Sequence, residues 1–184
     1  MARVIVVGDG PGGLSAALFL AKNGQDVEVF GQGGTGIKYA YLHNYLGLGG
    51  LAGTEFQARA RDQVMAVGAS LHDTAVTAVS AGEGGVTATL GSGGVLEADY
   101  LLLAEGKDPA LARSLGLAES EQGGIRTDSE GLSSHPRVYV VGRSTRPGRS
   151  QAIISAGDGA KAALSILARE AGNDIQDWDT PPKA

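Results

Sequence analysis

The feature that most narrows the folds open to this chain is its opening stretch. Val4-Ile5-Val6-Val7 runs into Gly8-Asp9-Gly10-Pro11-Gly12-Gly13, and then into an Ala-rich apolar segment, Leu14 to Asn23, that stops at Gly24. A short uninterrupted apolar run reads as a strand buried on both faces of a parallel sheet. The segment after the glycines reads as a helix, with Gly24 as its terminator. Asp26 to Phe30, with Val27 and Val29 around Glu28, reads as a second strand. In this strand–turn–helix–strand setting each glycine of Gly8-x-Gly10-x-x-Gly13 has a physical task. The first permits a tight turn, the second lets a pyrophosphate approach the backbone, and the third lets helix and strand pack closely. The free N–H groups of the first helical turn, with the helix dipole, then favour phosphate. Residues 3–30 are therefore expected to form a dinucleotide-binding unit; the alternative is a tight turn in some other α/β fold.

Beyond this unit, residues 31–51 read as a loop with repeated glycine breaks and an aromatic-polar cluster, Tyr39, Tyr41, His43, Asn44 and Tyr45. Thr54 to Gly68 reads as a helix. Thr54 and Gln57 have capping-box spacing, and Phe56, Ala60, Val64 and Val67 share a face. Ala75 to Val79, Val86 to Leu90 and Val95 to Ala98 are short alternating segments separated by glycines, the pattern of a three-stranded antiparallel meander. Tyr100 to Ala104 is a buried run returning to the parallel sheet, Pro109 to Leu115 a short helix, and Val138 to Val141 the last buried strand. Gln151 to Ala171 is a long amphipathic helix that places Ile153, Ala156, Ala160, Leu164 and Leu167 on one face. The expected organisation is one domain over residues 1–172 with a polar tail over 173–184, in which Trp178 packs on the surface or on a partner.

Composition removes several function classes. The chain has 184 residues and no cysteine, which excludes disulfides, thiolate metal sites and dithiol chemistry within it. His43, His72 and His135 show no metal-ligand spacing, and no metal is expected. A net charge of −5 without a basic stripe speaks against nucleic acid. No segment has the length and apolarity of a membrane span, and no signal peptide is read, so a cytoplasmic location is expected.

A meander inserted between parallel strands favours FAD over NAD as the dinucleotide. A short-chain dehydrogenase turn fits less well, because Leu14 stands where that pattern needs glycine. Four segments carry a more specific likeness: Val4 to Phe30; Asn44-Tyr45-Leu46-Gly47 with the helix from Thr54 to Gly68-Ala69; Pro136-Arg137-Val138-Tyr139-Val140-Val141-Gly142; and Gln151-Ala152-Ile153-Ile154-Ser155-Ala156-Gly157-Asp158-Gly159. Together they resemble the FAD domain of thioredoxin reductase, and more closely the short single-domain thioredoxin-reductase-related proteins. The resemblance implies a Rossmann-like α/β fold with a three-stranded meander and no inserted NAD(P)H domain, since Tyr100 to Gly106 passes directly into Lys107-Asp108-Pro109.

By that resemblance, Gly8, Gly10, Pro11, Gly12 and Gly13 would hold the pyrophosphate of FAD. The end of the second strand, Phe30-Gly31-Gln32, would meet the adenosine ribose, and Ala75 and Val76 would offer backbone groups to the adenine. His43 and Asn44 would lie beside the flavin. The loops Ala104-Glu105-Gly106 and Gly142-Arg143 would border the site, and Gln151, Ala152 and Ile153 would open a helix aimed at the flavin N1–O2 edge, where a helix N-terminus favours negative charge. Three positions depart from the family pattern. Gly31 replaces the ribose-binding acid, with Gln32 as a substitute without a carboxylate; Glu105 replaces a threonine; Arg143 replaces an aspartate. Arg143 reads either as a phosphate ligand or as an ordinary loop residue, and Glu105 as a functional carboxylate or a strand-end residue. The aromatic cluster reads as a flavin contact, as a self-packed loop or as a dimer contact. His43 reads as an acid/base group or a solvated loop histidine, and His72 and His135 as structural or exposed.

Two functions follow as expectations. One is an FAD-dependent oxidoreductase that is not a dithiol thioredoxin reductase, taking electrons from NAD(P)H or from a partner protein. The other is a non-catalytic dinucleotide-binding module acting as a sensor, carrier or subunit; an NAD-only Rossmann protein ranks behind both. No catalytic acid, base or nucleophile is assigned. A lone flavin domain leaves one flavin face uncovered, so a homodimer or a partner is expected.

Overall fold

A computed structural model describes residues 1–31 and 34–180. The opening unit forms as β1 (Arg3–Val7), α1 (Pro11–Lys22) and β2 (Asp26–Phe30). The glycine-rich segment 31–52 contains a 3₁₀ turn, Gly36–Tyr39, and two short strands, β3 (Tyr41–Leu42) and β4 (Leu51–Ala52). Then come α2 (Gly53–Ala66), β5 (Ser70–His72), the strands β6 (Val76–Gly82), β7 (Gly85–Leu90) and β8 (Val95–Ala98), and β9 (Tyr100–Leu103). α3 (Ala110–Ser114), β10 (Val138–Val140) and α4 (Ala152–Ala171) complete the order.

Five strands form a parallel sheet in the order β10-β9-β1-β2-β5. Successive side chains of a strand point to opposite faces, and here both faces are covered. Val4, Val6, Val27, Val29, Leu102 and Tyr139 pack with Leu14, Leu20, Ala163 and Ile166 under α1 and α4. Ile5, Val7, Phe30, Leu101, Leu103 and Val140 face the other way, onto Val86 and Ala88 of the meander and Leu111 of α3. That double burial is why the central strands read as unbroken apolar runs. The antiparallel meander, β6-β7-β8, forms as the alternating segments predict.

α1 and α4 approach each other very closely. A Cβ at Gly159 would fall 2.0 Å from the carbonyl oxygen of Gly12 and 3.0 Å from the amide nitrogen of Ala16. The small residues at this crossing let the two backbones meet without side chains between them.

Two expectations need correction, and three strands, β3, β4 and β5, were not foreseen. Segment 31–51 is not all loop: β3 and β4 pair antiparallel, Tyr41 with Ala52 and Leu42 with Leu51. Thr54 and Gln57 do not form a capping box. The N-cap is Ala52, with no side-chain cap bond, and Gln57 turns inward; its amide nitrogen donates to the Asp9 carboxylate at 2.8 Å. β5 extends the parallel sheet beside β2, too short for its pattern to declare itself. The described part of the tail lies against the domain: Ile175 packs on the core beneath α1 and α4, and Lys22 pairs with Asp177 and Asp179. Trp178 is exposed.

Candidate functional site

The carboxyl ends of β1, β9 and β10 carry three turns: Gly8–Gly12, Ala104–Lys107 and Val141–Arg143. β2 and β9 lie on opposite sides of β1, so the chain order reverses there, the place where open parallel sheets bind ligands. A cleft of about 590 Å³ opens over this point, within the size range of small-molecule sites, roughly 300–1,000 Å³. Its far wall is the segment Gly34–Leu42 with His43 and Asn44.

Two helices begin in this cleft, and neither is capped by a side chain. α1 starts with Gly10 extended and Pro11 at its first position, and Leu14 makes the first intrahelical bond back to the Gly10 carbonyl. α4 starts at Gln151, whose carbonyl receives the Ser155 N–H. The first-turn N–H groups of both helices are therefore left to a ligand or to water, and both positive dipole ends aim at one volume. Glycine is demanded by the turn itself. Gly8 has φ +106°, and a Cβ at Gly13 would sit 1.9 Å from the Gly8 carbonyl oxygen. A Cβ at Gly10 would reach 3.0 Å from Thr35 Oγ1 on the opposite wall, so side chains there would fill the cradle. An uncapped, glycine-lined cradle of this kind fits a pyrophosphate.

Charged groups around the cleft divide by engagement. Arg143 and Lys107 are exposed and make no ion pair among the described residues. Glu105 is committed: its two carboxylate oxygens accept the N–H groups of Leu111 at 2.7 Å and Ala112 at 3.0 Å, capping α3. Burial raises its pKa from 4.5, opposed by those two backbone bonds. Asp9 is buried and accepts from both Gln57 and Arg61. Asn44 donates to the Gln151 side chain at 3.0 Å, tying the loop after β3 to the start of α4.

The structure brings Gly8, Gly10, Pro11, Gly12, His43, Asn44, Ala104, Glu105, Gly106, Gly142, Arg143, Gln151 and Ala152 to one cleft. Gly13 lies behind the turn as its packing partner. Phe30 is buried and stacks on His72, with ring centroids 4.9 Å apart. Gly31 closes the end of β2, its N–H bonded to the His72 carbonyl. Ala75, Val76 and Ile153 are not among the residues lining the cleft, and the Ala75 carbonyl already accepts the Gly91 N–H. Gln32 lies outside the described residues. Of the aromatic cluster, Tyr41 and His43 line the cleft, with their ring centroids 4.6 Å apart. Tyr45 packs on Phe56, and Tyr39 is exposed. Sequence reading missed Asp9, Thr35, Lys107 and Ser155 as lining residues. Asp9 is an unspecified position of the glycine motif, and only its position inside that motif could have flagged it.

Fold and cleft together define a Rossmann-like dinucleotide-binding domain with the architecture of the FAD domain of thioredoxin reductases. Residues 48–159 match the model of the pyridine nucleotide-disulphide oxidoreductase family, and the chain belongs to that family. A thioredoxin reductase from Gloeobacter violaceus superposes with a TM-score of 0.89 at 16% identity, over 97% of this chain and 99% of that one. The atypical thioredoxin reductase TRi from Desulfovibrio vulgaris Hildenborough does so at 0.83 and 18%, over 94% and 99%. In sequence, the chain is 34% identical over 102 residues to monodehydroascorbate reductase from Pisum sativum, covering 50% of this chain and 24% of that protein. It is 32% identical over 143 residues to the nitrite reductase [NAD(P)H] large subunit from Klebsiella oxytoca, covering 76% and 14%. The chain thus spans a quarter or less of these two relatives. Among the described residues no helix is long and apolar enough to cross a membrane, and no cluster of metal-ligating side chains is present.

Proposed function

We propose that this chain binds FAD and serves as the flavin domain of an oxidoreductase. One observation carries the reading: two uncapped helix N-termini, of α1 and α4, converge on a single glycine-lined cleft over the switch point of a parallel sheet. Gly10, Gly12 and the α1 N-terminus would take the pyrophosphate, with Arg143 and Lys107 as exposed cations at the rim. The α4 N-terminus, at Ala152, would face the part of the isoalloxazine where negative charge collects. FAD, when bound, supplies the electron transfer. The protein's part is to neutralise phosphate charge, fix orientation through the Asn44–Gln151 tie and offer a positive dipole end. The electron donor in this reading is NAD(P)H or a partner protein, the exposed flavin face is covered by a second copy or that partner, and the location is cytoplasmic.

The test is the visible spectrum of the undenatured protein, with FAD added to a colourless preparation. A bound-flavin spectrum supports the reading; a protein that takes up no FAD refutes it. The engagement of Glu105 as a helix cap favours a second reading, a non-catalytic FAD module, because it removes a carboxylate from service in the cleft. Steady-state NAD(P)H oxidation separates the two: turnover with any acceptor rules out the module.

A further inference from the structure

At the end of β2, where this class of site holds the ribose of the adenosine, Gly31 offers no side chain. The space is occupied from elsewhere. A Cβ at Gly31 would fall 3.1 Å from Asp9 Oδ2 and 3.5 Å from Asp73 Oδ1. Asp9 belongs to the glycine turn and lines the cleft, yet its side chain is only 7% exposed. Its Oδ2 accepts from Gln57 Nε2 at 2.8 Å and Arg61 Nη1 at 2.6 Å, while no described group donates to Oδ1. Arg61 Nη2 goes to Asp73 Oδ1 at 2.8 Å. The Gln57 amide oxygen is buried beside Asp9 with no partner among the described residues. Among the described residues this junction has more acceptors than donors, and it sets two carboxylates against one guanidinium.

Glycine at the end of β2 with an arginine close by is the composition of a site for a 2′-phosphate. The geometry says otherwise. Arg61 is held by two carboxylates, so a phosphate placed there would add negative charge to a junction already net negative. A ribose diol brings the two O–H donors that the junction lacks. We infer that Asp9, fixed by Arg61 and Gln57, is the carboxylate that reads the adenosine ribose in this chain, so that the site takes an unmodified 2′,3′-diol and rejects a 2′-phosphate. Asp9 and Gly31 are then one device: the acid has moved from the strand end to the turn, and glycine at 31 makes room for it. The inference rests on the dinucleotide reading above.

The test is calorimetric titration of the whole chain, freed of co-purified nucleotide, with ADP, 2′-deoxy-ADP, ADP-ribose and 2′-phospho-ADP-ribose. ADP should bind at least about tenfold tighter than 2′-deoxy-ADP, the weight of one hydrogen bond to a charged group. ADP-ribose should outbind its 2′-phosphorylated form, and Asp9→Asn should shrink the ADP preference. If Asp9→Asn fails to fold, the four ligands on the unmodified chain still decide. Equal binding of ADP and 2′-deoxy-ADP, or tighter binding of 2′-phospho-ADP-ribose, overturns the inference and leaves the nucleotide reading standing. Binding of none of the four overturns both.

Discussion

Gly159 and Gly157 lie two residues apart in α4 and should respond to alanine in opposite directions. At Gly159 the added methyl meets the Gly12 carbonyl oxygen at 2.0 Å, the Gly12 carbonyl carbon at 2.9 Å and the Ala16 nitrogen at 3.0 Å. All three are backbone atoms and cannot rotate away, so α1 and α4 must separate. Overpacking costs roughly 1–3 kcal/mol, and contact with backbone puts this case at the upper end. Replacing a helical glycine returns about 1 kcal/mol, so the net loss for Gly159→Ala is about 2 kcal/mol. Gly157 is exposed, and nothing lies within 4 Å of its would-be Cβ; Gly157→Ala keeps the gain alone, about 0.5–1 kcal/mol. For a chain of this size each kcal/mol moves Tm by about 2–4 °C. Far-UV circular dichroism melts should therefore show Gly159→Ala lowered by about 4–8 °C and Gly157→Ala raised by about 1–4 °C. FAD titration should show weakened binding only for Gly159→Ala, because the start of α4 lines the cleft. Equal melts for the two variants would refute the claim that the helices touch through backbone at Gly159.

Glu105→Gln should destabilise the fold by about 1 kcal/mol through loss of the α3 cap in urea titration. The Glu105 pKa is raised by burial, so its contribution to stability is full below pH 4.5 and falls as pH rises through the folded-state value; the variant should lack that fall. Tyr100 donates to Glu170 at 2.9 Å, and burial followed by this bond lifts its phenol to about 12. In a spectrophotometric titration it should stay un-ionised above the ordinary phenol value of 10.0, the stability it lends should disappear between that value and about 12, and Tyr100→Phe should remove a late step of the titration. Arg143→Glu should weaken FAD binding by roughly tenfold at low salt, with the gap narrowing as salt screens an exposed charge; unchanged FAD affinity at low salt would remove Arg143 from the phosphate site.

The core of the fold was legible because its signals are local. Val4 to Val7 is buried on both faces and so is apolar throughout, and the glycine turn needs its glycines whatever surrounds them. The meander shows alternation because one of its faces meets solvent. What sequence reading missed depends on distant partners. β3, β4 and β5 are too short to show a period. Thr54 and Gln57 have the right spacing for a local cap, but tertiary contact with Asp9 claimed Gln57. Gln57 and Arg61 lie one turn apart on α2 and share a face, yet nothing near them in sequence announces that both point at residue 9. Glu105 could be read as a site acid only until α3 was seen to begin against it.

The contact between α1 and α4 has a consequence in time as well as in space. α1 leaves the ribosome before α4, and the face of α1 that carries Ala16 and Gly12 closes against the backbone of α4 at Ser155 and Gly159. A nascent chain lacking α4 would hold that surface open until residues 152–171 were made, the condition that recruits chaperones and invites misassembly. The proposed nucleotide cleft, which needs both helix starts, would become competent only once α4 had been made. Ligand would then select chains that already hold α4 from those that do not.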